Sequence, residues 1–231
     1  MFLRSGFLAL VLAVTGAAGG PAVDAISPLD RWHSEQSSGG KVFAQDGALV
    51  IQDAGGCTLW WREKLTQPVE ITYEATVVSR GGAFDRVSDL NCFWMARELN
   101  SADQPPFGRS GRFSEYNSLL TYYVGYGGNN NTTTRFRRYD GTDARPILPE
   151  HDLRDPAFLL EANRPYRIKL IAREGVAEYW RDGERIFAYA DPAPLRAGWF
   201  AFRTVKSHLV IRNFHVRSLA DAEPVAPAKK Q

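Results

Sequence analysis

The chain has 231 residues, 44% of them hydrophobic and 12% aromatic, and a formal net charge of +2. That length is enough for one sizeable core and demands no second domain. The charge is too small for nucleic-acid binding by bulk electrostatics, and no basic helix or RNA-binding aromatic signature accompanies it.

Residues 1–25 carry a basic residue (Arg4), an apolar run and then small residues, the order of a secretory signal peptide. The run is too short to span a bilayer, and Gly16, Gly19, Gly20 and Pro21 break a helix behind it. The expectation is therefore an exported chain, secreted or periplasmic, with no membrane partner once the signal is removed. Residues 26–218 are expected to form the folded domain.

The segment 41–52 (KVFAQDGALVIQ) places Asp46-Gly47 between two apolar runs, a strong hairpin signal. Residues 57–64 (CTLWWREK) and 68–78 (PVEITYEATVV) alternate. In the second, Val69, Ile71, Tyr73, Ala75 and Val77 share one face and Glu70, Thr72, Glu74 and Thr76 the other, the pattern of a half-buried antiparallel strand. Farther on, the segments 166–172, 176–180 and 185–189 are joined by Glu174-Gly175 and Asp182-Gly183 turns and predict a meander. Strands at 198–204 and 209–216 close the pattern, and the Ala/Pro/Lys-rich tail 219–231 is too polar to pack. Helical periodicity is nearly absent, with only 157–161 suited to a short turn. Many short strands with turn residues between them predict an all-β sandwich or barrel of two packed antiparallel sheets.

The two cysteines, Cys57 and Cys92, lie in apolar strand-like runs and are expected to be buried. In an exported protein they form either a disulfide or two separate buried thiols, and the sequence leaves both open. Arginine outnumbers lysine by 22 to 6. That residue suits bidentate contact with carboxylate or sulfate, although arginine-rich codon usage gives the same count.

The central stretch 79–141 concentrates polar and aromatic residues on strand-forming runs. If 89–95, 119–126 and 133–139 are neighbouring strands of one sheet, alternation offers each a solvent-facing set. Those sets are Asp89 and Asn91 on the first, Tyr122 and Tyr126 on the second, and Arg135 and Arg137 on the third. Arg203 and His208 would complete the groove. A slip of one residue would bring out Leu90, Tyr123 and Phe136 instead. Trp94, and one of Trp60 and Trp61, are candidate platforms for stacking on a sugar ring.

The C-terminal third, with its D-G hairpin, Asp191-Pro192 step, Gly198-x-Phe-x-Phe strand and final strand, resembles the concanavalin A-like lectin/glucanase superfamily. The segments DLNCFWM and YYVGYGGNNNTTTRFRRYDG are similar to those of an uncharacterised secreted bacterial subgroup of it. The resemblance implies a jelly-roll β-sandwich with a sugar-binding groove on its concave sheet and, as partner, a polysaccharide or oligosaccharide bound by a monomer. The E-x-D-x-E carboxylate set of the glucanases is missing, which favours lyase chemistry on an acidic, uronate-containing polysaccharide over hydrolysis. A non-catalytic glycan-binding module is the alternative. In an elimination the arginines and Asn91 would neutralise the uronate carboxylate, while Tyr122, Tyr126 and His208 are the groups available to move protons. The superfamily often binds calcium through loop acids, but no ligand-spacing motif here identifies such a site, and His33, His151 and His215 lack the spacing of metal ligands.

Overall fold

The computed structural model describes residues 29–220. The signal-peptide reading of 1–25 and nearly all of the tail lie outside the described residues. Among the described residues, fifteen strands are arranged in two antiparallel sheets. They are β1 (Trp32–Gln36), β2 (Lys41–Gln45), β3 (Ala48–Gln52), β4 (Cys57–Trp61), β5 (Leu65–Thr66), β6 (Val69–Val77), β7 (Leu90–Arg97) and β8 (Leu120–Gly127), followed by β9 (Thr133–Asp140), β10 (Asp152–Leu153), β11 (Pro165–Arg173), β12 (Val176–Arg181), β13 (Glu184–Ala190), β14 (Ala197–Thr204) and β15 (His208–Ser218). The larger sheet runs β1-β4-β14-β7-β8-β9-β10, with β5 on β14, and the smaller runs β13-β12-β11-β6-β15-β3-β2.

The turn residues act as the sequence indicates. Asp46 and Gly47 have φ of 50° and 66°, Glu174 and Gly175 48° and 78°, and Asp182 and Gly183 52° and 89°, so each pair makes the doubly left-handed turn that matches strand twist. Strand β6 alternates buried and half-buried along its whole length. The segment expected to turn near 157 is a short 3-10 helix, Pro156–Phe158, whose first turn is capped by Asp155 accepting from Ala157 N at 2.9 Å.

The inward faces of both sheets meet in one core, to which Tyr73, Tyr166, Ile168, Leu209 and Ile211 come from the smaller sheet and Leu59, Trp94, Tyr122, Phe136, Phe200 and Phe202 from the larger. A second apolar cluster lies on the outer face of the larger sheet. There the long β7–β8 connection lays Phe107, Phe113, Tyr116 and Leu119 over Trp60, Phe93, Tyr123, Tyr139 and Trp199. The larger sheet is thus buried on both faces over half its width. This is why β4, β7 and β8 are dominated by buried residues rather than alternating.

Both cysteines are free and buried. Cys57 pairs with Thr204 and Cys92 with Phe202, so β14 stands between them. Two strand spacings amount to about 9–10 Å, beyond the roughly 7 Å within which a disulfide closes. Burial pushes both thiols up to about 12. A thiol reagent should therefore find no reactive group in the folded protein and two after denaturation without reductant.

Candidate functional site

Beyond the edge of the β7–β8 connection, the outer face of the larger sheet holds a polar groove of about 330 Å³. Strand pairing builds its floor. Asn91 on β7 sits opposite Gly125 on β8, which sits opposite Arg135 on β9; one step along, Tyr123 faces Arg137. Gly125 has a reason to be glycine: a Cβ there would come within 2.9 Å of the Tyr123 hydroxyl, so the missing side chain gives the phenol ring its space. Tyr139 lies at one end of the floor, with Arg145 and Phe113. Arg86, Asp89, Asn129, Asn130 and Val205 form the other end.

The groove is positively charged. Four arginines (86, 135, 137, 145) line it against one carboxylate, Asp89. Asp89 is already engaged by the Arg86 guanidinium, by Ser88 Oγ at 2.9 Å and by Asn91 Nδ2 at 3.3 Å. Arg135 is held by Asp152 through two bonds of 2.7 and 3.1 Å. Arg137 instead donates to the Arg145 carbonyl, and Arg145 lies over the Phe113 ring at 5.5 Å. Neither Arg137 nor Arg145 has a carboxylate partner among the described residues. Burial lowers the Arg137 pKa, and the charges of Arg135 and Arg145 add to that against the opposing influence of Tyr139. A guanidinium keeps its proton at any physiological pH all the same.

Four groove residues carry a buried polar atom without a partner: Arg86 Nε, Asn91 Oδ1, Tyr139 Oη and Arg145 Nε. Others lie away from the groove, at Arg203 under the cover and at Trp32, Tyr73, Trp94 and Tyr179 in the core. Most buried polar groups in a folded protein are paired, so those that line the groove leave places for a ligand or water.

The structure brings together Asp89, Asn91, Arg135 and Arg137 and leaves the other expected site residues elsewhere. Tyr122 and Tyr126 do not face solvent. They point into the sandwich core with Leu120 and Val124, each about 1% exposed. Tyr122 Oη donates to Asp191 at 2.8 Å and accepts from Leu195 N at 3.2 Å, while Tyr126 Oη donates to the Leu159 carbonyl at 3.3 Å. Burial raises both phenols well above their ordinary range, so neither serves as a resting base. Tyr123 takes the groove position instead, and Leu120 and Val124 were the signal, since they share the parity of Tyr122 and Tyr126.

Trp94 is likewise a core residue, 0% exposed between Tyr122 and Phe136, because it shares parity with Leu90 and Cys92. Neither Trp60 nor Trp61 is an open platform; both are buried. Arg203 is on the groove side of the sheet, opposite Asn91, but fully covered. It donates to Thr58 Oγ1 at 3.0 Å and the Gly111 carbonyl at 2.6 Å, between Phe113 and Tyr116. His208 opens β15 in the other sheet, bonded through Nδ1 to Asp85 at 2.9 Å, and does not line the groove. Sequence reasoning missed Arg86, Tyr139 and Arg145 as groove residues. Among the described residues no cluster of three or more His, Cys, Asp or Glu is placed to hold a metal ion.

A family model described as a domain of unknown function, DUF6250, matches residues 51–214. The chain belongs to that family. No curated protein sequence matches it. Among solved structures, a Bacillus subtilis protein of unknown function with a galectin-like fold is 20% identical, with a TM-score of 0.61 over 82% of this chain and 90% of that one. The carbohydrate-binding module CBM66 from Bacillus subtilis is 11% identical, with a TM-score of 0.57 over 84% and 99%. A mutant alginate lyase in complex with an alginate tetrasaccharide is 11% identical, with a TM-score of 0.51 over 82% and 87%. These likenesses, all at 20% identity or below, show the fold: a galectin-like jelly-roll sandwich of two antiparallel sheets.

If Tyr122 is structural, Tyr122→Phe should lower stability by about 1–3 kcal/mol in urea denaturation, because Asp191 and Leu195 N lose a buried partner. Ligand binding in the groove should be unchanged.

Proposed function

We propose that the groove binds an acidic, uronate-containing polysaccharide or oligosaccharide, and that the protein is an exported, monomeric carbohydrate-binding protein. One observation carries this: Arg137 and Arg145 stand in the groove without a carboxylate partner, while its single acid is already neutralised by Arg86. A carboxylate on a sugar ring supplies the missing counter-charge, and the ring hydroxyls meet Asn91 and Tyr139, whose buried oxygens lack partners. Two of the proteins that share the fold are, by name, a carbohydrate-binding module and an alginate lyase. At 11% identity that likeness concerns the fold, so the arginines bear the weight.

Hydrolysis finds little support, since it needs two carboxylates across the scissile bond and Asp89 is alone and engaged. Elimination has one specific observation in its favour. Tyr139 Oη lies in the groove beside Arg137 and Arg145, and burial raises its pKa against the charges of both arginines and a side-chain contact with Arg145. A phenol so held is a resting acid: it would give its proton to the departing glycosidic oxygen as the glycosidic bond breaks and the double bond forms, the proton next to the uronate carboxylate going to water.

Arg137→Ala should weaken binding of alginate or polygalacturonate oligomers by about 10-fold or more in calorimetry. The melting temperature should fall by no more than about 2 °C, because no carboxylate is left unpaired. Added salt should weaken the wild-type interaction; salt-independent binding would contradict an ionic contact. Incubation with uronate polymers separates the two readings. Ultraviolet absorbance from a conjugated double bond, abolished by Tyr139→Phe, marks elimination, and its absence alongside retained binding marks a module without catalysis.

A further inference from the structure

We propose that the groove receives the end of an acidic glycan chain and not a stretch of its interior; this rests on the reading of the groove as an anionic-glycan site. The outer face of a jelly-roll sheet can carry a channel across all its strands. Here the half over β1, β4 and β14 is filled by the protein itself. Phe107 and Tyr116 from the β7–β8 connection pack on Trp60, and Phe93 lies beneath them, so that Trp60 and Phe93 are 0% exposed and Trp199 3%.

This cover is fixed in place. Glu35, 3% exposed, accepts from Trp60 Nε1 at 2.9 Å, Tyr116 Oη at 2.7 Å, Arg109 N at 2.9 Å and Gly108 N. Arg109 in turn bonds Glu98 at 2.6 Å and the carbonyls of Glu115 and Pro106 at 2.7 and 2.8 Å. Gly111 meets Gly56 so closely that a Cβ on Gly111 would fall 2.7 Å from the Gly56 carbonyl oxygen. The cover is therefore built as a wall.

Both ends along the strands are bounded as well. Arg86 bonds Asn130 at 2.9 Å and the Val205 carbonyl at 2.8 Å, joining three connections at one end. At the other, Arg145 spans from the β9–β10 connection to Phe113. The side left for entry is then the one toward β10, a two-residue edge strand past the Arg135–Asp152 pair, since none of the lining residues comes from that strand. The volume of about 330 Å³ is at the low end of the roughly 300–1,000 Å³ of small-molecule sites, room for about one or two sugar rings. Asn91 stands at the closed side, its Nδ2 committed to Asp89 and its Oδ1 a buried acceptor without a donor. A terminal sugar offers a free hydroxyl there, where an internal sugar has only a glycosidic oxygen, which cannot donate.

The test is calorimetry with a series of uronate oligomers from disaccharide to hexasaccharide, the parent polymer at equal mass before and after partial cleavage, and trisaccharides blocked at one end or the other. A neutral gluco-oligosaccharide series runs alongside. The expected result is affinity that levels off by the trisaccharide, changing less than about 2-fold to the hexasaccharide. Binding capacity per gram should rise in proportion to the number of chain ends, and blocking one of the two ends should abolish binding. Affinity that climbs about tenfold or more between trisaccharide and hexasaccharide, capacity independent of cleavage, or indifference to both end blocks overturns the chain-end proposal while leaving the anionic reading intact. A plateau in the neutral series with no binding of uronates overturns the anionic reading and keeps the closed end. Failure of both series overturns the two together.

Discussion

The buried carboxylate of Glu35 determines the shape of the outer face on which the groove depends. Removing a carboxylate from water costs several kcal/mol unless its oxygens are fully engaged. Four donors meet it here: an indole, a phenol and two backbone amides. Hydrogen bonds to a charged group are worth roughly 1.5–3 kcal/mol each, so four offset the desolvation. Three of those donors belong to the β7–β8 connection and one to β4, so the same bonds that satisfy the charge clamp the connection onto the sheet. The aromatic cover, the burial of Arg203 beneath it and the wall that halves the outer face all follow.

The second constraint is alternation. A strand sends successive side chains to opposite faces, so one well-placed residue fixes the parity of the rest. On β9 the sequence is unambiguous, because Arg135 and Arg137 cannot sit in the apolar core and Phe136 can; all three are where that logic puts them. On β7 the same logic places Asn91 outward and Cys92 inward. Strand β8 reads LTYYVGYG, and tyrosine suits either face. Its parity is carried by Leu120 and Val124, which go inward with Tyr122 and Tyr126, and by Gly125, which goes outward to make room for Tyr123. Tyrosine hydroxyls invite a functional reading, but in this core they serve as anchors for Asp191 and the Leu159 carbonyl.

Hairpins were legible because their chemistry is local: a left-handed Asp-Gly or Glu-Gly pair needs only its own residues. The cover was not, because it depends on contacts across long stretches of sequence. Glu35 reaches Tyr116 over 81 positions and Arg109 over 74. A Pro/Gly/Ser-rich connection would ordinarily run over the surface, yet Phe107, Phe113 and Tyr116 within it are the residues that fill the outer face. Likewise His208 follows the Gly-x-Phe-x-Phe strand in sequence but crosses to the other sheet, since β14 and β15 belong to different layers.

Three arginines of the same face show how one residue type takes three different roles. Arg135, beside the edge strand, is neutralised by Asp152 in a bidentate pair and holds β10 in place. Arg203, at the centre, is enclosed by Thr58, a carbonyl and two aromatic rings, where the flat guanidinium gains from ring faces what it lacks in counter-charge. Arg137 stands between these, partly desolvated, next to two like charges and bonded only to a carbonyl. Since a guanidinium cannot shed its proton to relieve that setting, the remaining route to a lower free energy is an external anion. A planar carboxylate matches the guanidinium fork better than a spherical ion does, which is the physical ground for proposing a sugar acid and not a simple ion as the ligand.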